Sequence, residues 1–230
     1  MKKLFLLLGV ALLATTPMYA QEERSQKEIN KEAKAMLKLS NQQLNEKASK
    51  AAKKEAKKLA KEGWVVAPGH LPLEKQLDRS YQMQYQYSED LFPKYIIGDA
   101  MSVGEVYDAA KNQALELAIL NLASNIEKNI TALIDNRVAN GQLGQGEAVS
   151  LAQTVNGSKN IISKKIQRTV PIVECYRTLG NKNVEVRVVI FYNANAAKKV
   201  AAEEIKNQKR AELGAKAEEL VKSVDKLLGI

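Results

Sequence analysis

Between Glu105 and Glu127 the chain carries a dense apolar set in a run of good helix formers: Ala109, Ala110, Ala114, Leu115, Leu117, Ala118, Ile119, Leu120, Leu122, Ala123 and Ile126. Wound at about 3.6 residues per turn, they spread well beyond one narrow stripe. A helix that is apolar over so wide an arc has to be covered on more than one side. The simplest cover is a sheet on one flank and another element on the other. This segment therefore sets the frame for the rest of the chain.

Strands for that sheet are legible on both sides of it. Tyr95, Ile96 and Ile97 lead through Gly98 and Met101 to Gly104, which reads as a strand with a glycine-marked irregularity. Val170–Thr178 and Val184–Phe191 are joined by Leu179, Gly180, Asn181, Lys182 and Asn183, the clearest hairpin signal in the sequence. The second of these strands sets Val184, Val186, Val188 and Ile190 on one face and Glu185, Arg187, Val189 and Phe191 on the other. Ile130, Ala132, Ile134 and Val138 alternate with Thr131, Leu133, Asp135 and Arg137, which predicts a further strand, a continuation of the helix being the alternative. Glycines 141, 144 and 146 break the chain, Glu147–Val155 predicts a short helix, and 161–166 is transitional.

Charged helical segments flank this region. From Ser25 to Glu62 there is no Pro or Gly, and a sparse apolar set including Ile29, Met36, Leu44, Ala52 and Leu59 predicts a long amphipathic helix ending at Gly63. After the turn Pro68–Pro72, residues Leu73, Leu77, Tyr81 and Tyr85 step by four and predict a short helix, although Tyr81–Tyr87 also alternates as a strand would. The Tyr cluster reads as a satellite core. Ala194–Leu228 is helical again, its stripe broken at Gly214. The fold class expected is α+β: a long helix packed on a small antiparallel sheet of about three strands, flanked by long N- and C-terminal helices. The boundaries are 1–20 leader, 21–63 basic helical arm, 64–93 connecting segment, 94–193 core domain and 194–230 C-terminal helix.

The leader is read from Lys2 and Lys3, the apolar run Leu4–Ala14 and the polar exit after Ala20. Eleven residues make a helix of about 17 Å, too short for a hydrocarbon layer of about 30 Å. A secretory signal peptide is expected, cleaved after Ala20 even though Met18 is large for the third-from-last position. Its removal takes Lys2 and Lys3 with it and leaves 210 residues at +7. Of that charge, Glu22–Glu62 holds 12 Lys or Arg against 7 Asp or Glu. No later run is apolar for about 18 residues, so no transmembrane span is expected after cleavage. The single Cys175 excludes an intramolecular disulfide, and its distance from the leader excludes lipidation there.

The run Tyr95–Phe191 resembles the surface lipoprotein antigen family of gastric bacteria, related envelope proteins of unknown function and the N-terminal domain of a flagellar outer-ring component. The glycine-bearing strand Tyr95–Gly104, the helix through Ala109, Ala110, Ala114, Leu117, Ala118, Asn121, Leu122, Ala123 and Ile126, and the late hairpin carry the likeness. The resemblance implies a helix cradled by an antiparallel sheet and export to the cell envelope. It implies no catalytic residues. The lipidated cysteine of those proteins is missing here, and the flanking arms extend beyond the shared core.

Catalytic sets are not found. One His and one Cys, His70 and Cys175, fall short of a zinc constellation, and no cofactor or metal is expected. His70 reads as a solvated turn residue and Cys175 as an inert buried thiol. There is no nucleophile elbow, and the glycines at 141, 144 and 146 fit neither a dinucleotide fingerprint nor a phosphate loop. Glu89 with Asp90 and Glu203 with Glu204 are sequence neighbours that diverge on a helix and read as solvated. The one feature with a physical partner is the set Lys47, Lys50, Lys54, Lys57, Lys58 and Lys61, mostly at steps of three or four, which suits anion binding. Nucleic acid is excluded, because no aromatic residues interleave with these lysines. The chain is expected to be a soluble, non-enzymatic protein of the periplasm or outer surface. It would bind an envelope protein or a second copy of itself, or, through the lysines, anionic polysaccharide or a lipid surface; a hydrolase with an unrecognised site is the remaining alternative.

Overall fold

The computed structural model describes residues 34, 47–88, 93–166, 169–214, 218, 221, 224 and 228. The chain divides into two compact units, 1–47 and 48–230, and every element named below belongs to the second. In order these are α1 (Lys50–Lys61), α2 (Leu73–Gln84), β1 (Tyr95–Gly104), α3 (Tyr107–Ala139), α4 (Gln145–Gly157), α5 (Lys159–Lys165), β2 (Pro171–Thr178), β3 (Val184–Asn193) and α6 (Ala194–Leu213). The leader, the arm as far as Glu46 apart from Lys34, and the pair Glu89 and Asp90 lie outside the described residues.

The three strands form one antiparallel sheet in the order β1-β3-β2, with the hairpin strand β3 at its centre. Val186, Val188 and Ile190 point to one face and Val189 and Phe191 to the other, and all five are buried. The sheet is thus covered on both sides, which is why β3 reads as a nearly continuous apolar run. On one face lies α3. On the other lie α1 and α2, whose Ala52, Leu73, Leu77 and Met83 meet Val173, Cys175, Val189 and Phe191 in a second core.

Helix α3 meets β1 at unusually short range. Ala110, Ala114, Ala118 and Leu122 recur every fourth residue, and all are fully buried. A Cβ placed on Gly98 would stand 2.2 Å from the Ala118 carbonyl oxygen and 2.8 Å from Leu122 Cβ. One on Gly104 would meet the Ala110 nitrogen at 2.9 Å. The glycines of β1 therefore mark close approach of backbones, not the irregularity expected from the sequence. The β1–β3 register runs unbroken from Tyr95↔Asn193 to Gly104↔Val184. The bulge falls instead on β2, between Pro171 and Val173.

The further strand expected over Ile130–Val138 does not form, because α3 continues to Ala139. Ile126, Ile130 and Ile134 keep the four-residue step and are buried. The alternation is real, but it serves a helix covered on several sides: Leu133 and Val138 pack at the margin of the same core. Beyond the sheet, the far half of α3 packs with α4, α5 and α6 through Leu151, Val155, Ile162 and Ile205. The transitional stretch 161–166 is largely α5. After Gly214, with φ +56, residues 218, 221, 224 and 228 are helical, and Val224 and Leu228 join the first core. Among the described residues no helix is long and apolar enough to cross a membrane.

Candidate functional site

Helix α1 opens at Ser49, whose hydroxyl accepts a hydrogen bond from the Ala52 N–H at 3.2 Å, and closes at Gly63, which takes φ +87. Ala52 and Ala56 are buried against the second core, so that side of the helix is committed to packing. At about 100° per residue, Lys50, Lys54, Lys57, Lys58 and Lys61 fall within roughly a third of a turn on the opposite side. All five are exposed. Lys47 is exposed too, and belongs to the 1–47 unit.

Beside this lysine face runs an open groove of about 770 Å³, lined by Lys54, Lys57, Lys58 and Lys61 together with Leu59 and Tyr81. The Tyr81 hydroxyl donates to the Glu55 carboxylate. Burial, and then that hydrogen bond, push the phenol up to about 12. Tyr81 thus stays neutral at the groove wall across the physiological range. Apart from Glu55 and Glu62, the charges lining the groove are positive.

A second groove of about 680 Å³ opens between the end of α1 and the sheet, lined by Leu59, Glu62, Trp64, Asp99, Arg177 and Arg187. Its arginines are paired with nearby carboxylates. Arg187 donates to Asp99 through Nη2 at 2.6 Å and Nε at 3.2 Å, and Arg177 Nε donates to Glu185 at 2.6 Å. The Arg177 guanidinium also stands 4.7 Å above the Trp64 ring. This groove offers shape but little uncompensated charge.

The sheet rims are partly closed by amide side chains. Asn121 and Asn125 of α3 donate to the Asp99 and Ile97 carbonyls at 2.9 and 2.7 Å. On the β2 side, Val65 exchanges both backbone hydrogen bonds with Tyr176 at 2.8 Å, and Gln76 Oε1 accepts from the Glu174 N–H at 2.7 Å. The outer edge of the hairpin strand β2 is therefore already occupied at Glu174 and Tyr176.

The remaining sequence candidates lie apart from the lysine face. Cys175 is buried in the second core, and desolvation raises its thiol to about 11. His70 sits in its turn with Nδ1 3.7 Å from Glu174 Oε1. Because alternate strand residues face opposite ways, Cys175 and the carboxylate beside His70 project from opposite faces of β2. Nothing joins them as a couple. Glu203 is exposed, but Glu204 is not the solvated residue expected: it is 5 % exposed, paired with Lys165 at 2.9 Å and hydrogen-bonded by Gln208 at 2.8 Å. Among the described residues no three His, Cys, Asp or Glu side chains gather as metal ligands.

Sequence reasoning missed Glu174 and its surroundings. This carboxylate is 6 % exposed; its Oε1 accepts from the Tyr107 hydroxyl and lies 2.8 Å from Lys111 Nζ. Burial, and then the bond to Glu174, push the Tyr107 phenol above its ordinary range. The signal was a lone acid inside the apolar run Ile172, Val173, Cys175, where a charge has to find partners. Compared with protein-family models, with curated proteins and with solved structures, the chain finds no match.

Proposed function

We propose that this chain is an exported, non-enzymatic cell-envelope protein of interaction type that engages an anionic partner through the outer face of α1. The resemblance to the surface lipoprotein antigen family belongs to the same reading. So do cleavage after Ala20, soluble release into the periplasm or outer surface, and long terminal helices extending from Ser25 and to Leu228 around the α+β core.

The observation that carries the proposal is the division of labour on α1. Its alanines are buried, and five lysines stand together on the free side beside an open groove. A helix whose apolar side is already used cannot insert that side into a bilayer, so the contact it offers is electrostatic. Acidic polysaccharide or an anionic lipid headgroup surface fits that chemistry. An acidic face on an envelope protein or on a second copy of this chain is the competing occupant.

The test is chromatography of the full chain on a polyanion resin across a salt gradient. Replacing Lys50, Lys54, Lys57 and Lys61 by Gln should move elution to markedly lower salt, with a shallower dependence on ionic strength. Unchanged retention would end the reading. The mass in solution separates the competing occupant: a strict monomer at high concentration removes self-association.

A further inference from the structure

The lysine face of α1 leads down into a recess. Counted at about 100° per residue, Lys54, Lys58, Ala51, Glu62, Glu55 and Leu59 follow one another round the helix from the exposed side toward the buried alanines. All six line the open groove of about 770 Å³, and Tyr81 of α2 forms the facing wall. Its surface therefore passes from cations at the lip, through two carboxylates, to apolar side chains at the base. Leu59 and Tyr81 pack against the second core, and the Tyr81 hydroxyl donates to Glu55 across the groove, so the recess is held in shape by the fold. Among the described residues none of Lys54, Lys57, Lys58 and Lys61 stands in an ion pair. Four cations thus face two carboxylates, and the excess is positive.

We propose that this groove seats a stretch of acidic polysaccharide, its acid groups on Lys54, Lys58 and Lys61 and its sugar rings against Tyr81 and Leu59. The site rests on the anion-binding reading of α1 and narrows its ligand from any anionic partner to a glycan. A sugar ring carries a C–H face and a rim of hydroxyls on one frame. The C–H face suits an aromatic and aliphatic wall, and the hydroxyls donate to the carboxylates of Glu55 and Glu62 while the acid groups accept from the lysines. Lys54, Lys58 and Lys61 stand four and three residues apart, about 6 and 4.5 Å along the helix axis, so a chain with regularly repeated acid groups meets each in turn. A chain whose every group is an anion would be held at the lip and repelled by Glu55 and Glu62 deeper in. A bilayer surface is flat on the scale of one helix: it would touch the lip and leave the recess empty.

The probe is an oligogalacturonate, titrated calorimetrically into the full chain at physiological salt. Polyglutamate of matched charge and vesicles containing phosphatidylglycerol serve as comparisons. The glycan is expected to bind about tenfold or more tightly than polyglutamate. Lys58→Gln, in the groove, should weaken it about three- to fivefold, and Lys50→Gln, on the same side of α1 but outside the groove, by less than about half as much. Both positions are exposed, so neither change disturbs the core. The glycan assignment is overturned if polyglutamate or the vesicles bind as tightly, or if Lys50→Gln costs as much as Lys58→Gln; the lysine face then remains an anion-binding surface without a glycan seat. Unchanged retention of the fourfold lysine variant on polyanion resin overturns both together.

Discussion

Cys175 shows how a single side chain takes its chemistry from its place in the sheet. Its neighbours Val173 and Arg177 share its face, and from the sequence the arginine could have been read as an activating cation. Desolvation wins instead, holding the thiol near 11, although Arg187 pulls the other way. The folded state therefore keeps a proton between about pH 9 and 11 that the unfolded chain has lost. With fewer protons bound in the unfolded state, stability falls as pH rises through that window. The loss is bounded by about 1.4 kcal/mol per pH unit. Urea midpoints measured from pH 8.5 to 10 should decline more for the parent than for Cys175→Ala, and a thiol reagent at pH 8 should react only after denaturant is added. Rapid reaction of the native protein would show that the thiol is not sealed.

At the scale of elements, the contact between α3 and β1 is the most exacting in the molecule. A methyl group on Gly98 would have to displace the Ala118 carbonyl, which is backbone and cannot rotate away. Gly98→Ala is expected to lower stability by about 3 kcal/mol or more in thermal denaturation. Gly146→Ala, with nothing within 4 Å in the first turn of α4, should be neutral or gain up to about 1 kcal/mol. Equal effects would mean that the helix rides higher over the strand than described. Most elements were legible in the residues, because periodicity and turn chemistry are local: α2, the hairpin and the faces of β3 follow their patterns directly. What failed was Ile130–Val138, where a helix buried on several sides imitates a strand. The lysines of α1 could be placed on one face by counting. Glu174, Tyr107, Lys111 and Gln76 could not be assembled, because the partners come from elements far apart in sequence and carry no spacing to read.

At the scale of the whole unit, α3 is the common member. Its first half covers the sheet and its second half packs with α4, α5 and α6, so 33 residues, about 50 Å of helix, run through one continuous core. Damage at the far end should then be felt across the sheet, in the second core where Trp64 is buried. Ile134→Ala should cost about 3 kcal/mol and lower the melting temperature by about 6–12 °C. The shift should be the same whether unfolding is followed by helical circular dichroism or by the fluorescence of Trp64, the only tryptophan. A helical signal that melts ahead of the tryptophan would show that the two ends of α3 unfold separately.

The asparagines and glutamine at the rims of the sheet also govern how the molecule behaves in a crowd. A fibre grows when a bare strand templates the next chain, and here Asn121, Asn125, Gln76 and Val65 already occupy the positions where such a template would start. On β1, among the described residues, the exposed reach past Asp99 is that at Met101 and Val103, shorter than the five or six residues of an ordinary strand. A second copy that met these rims would find little bare strand to pair with.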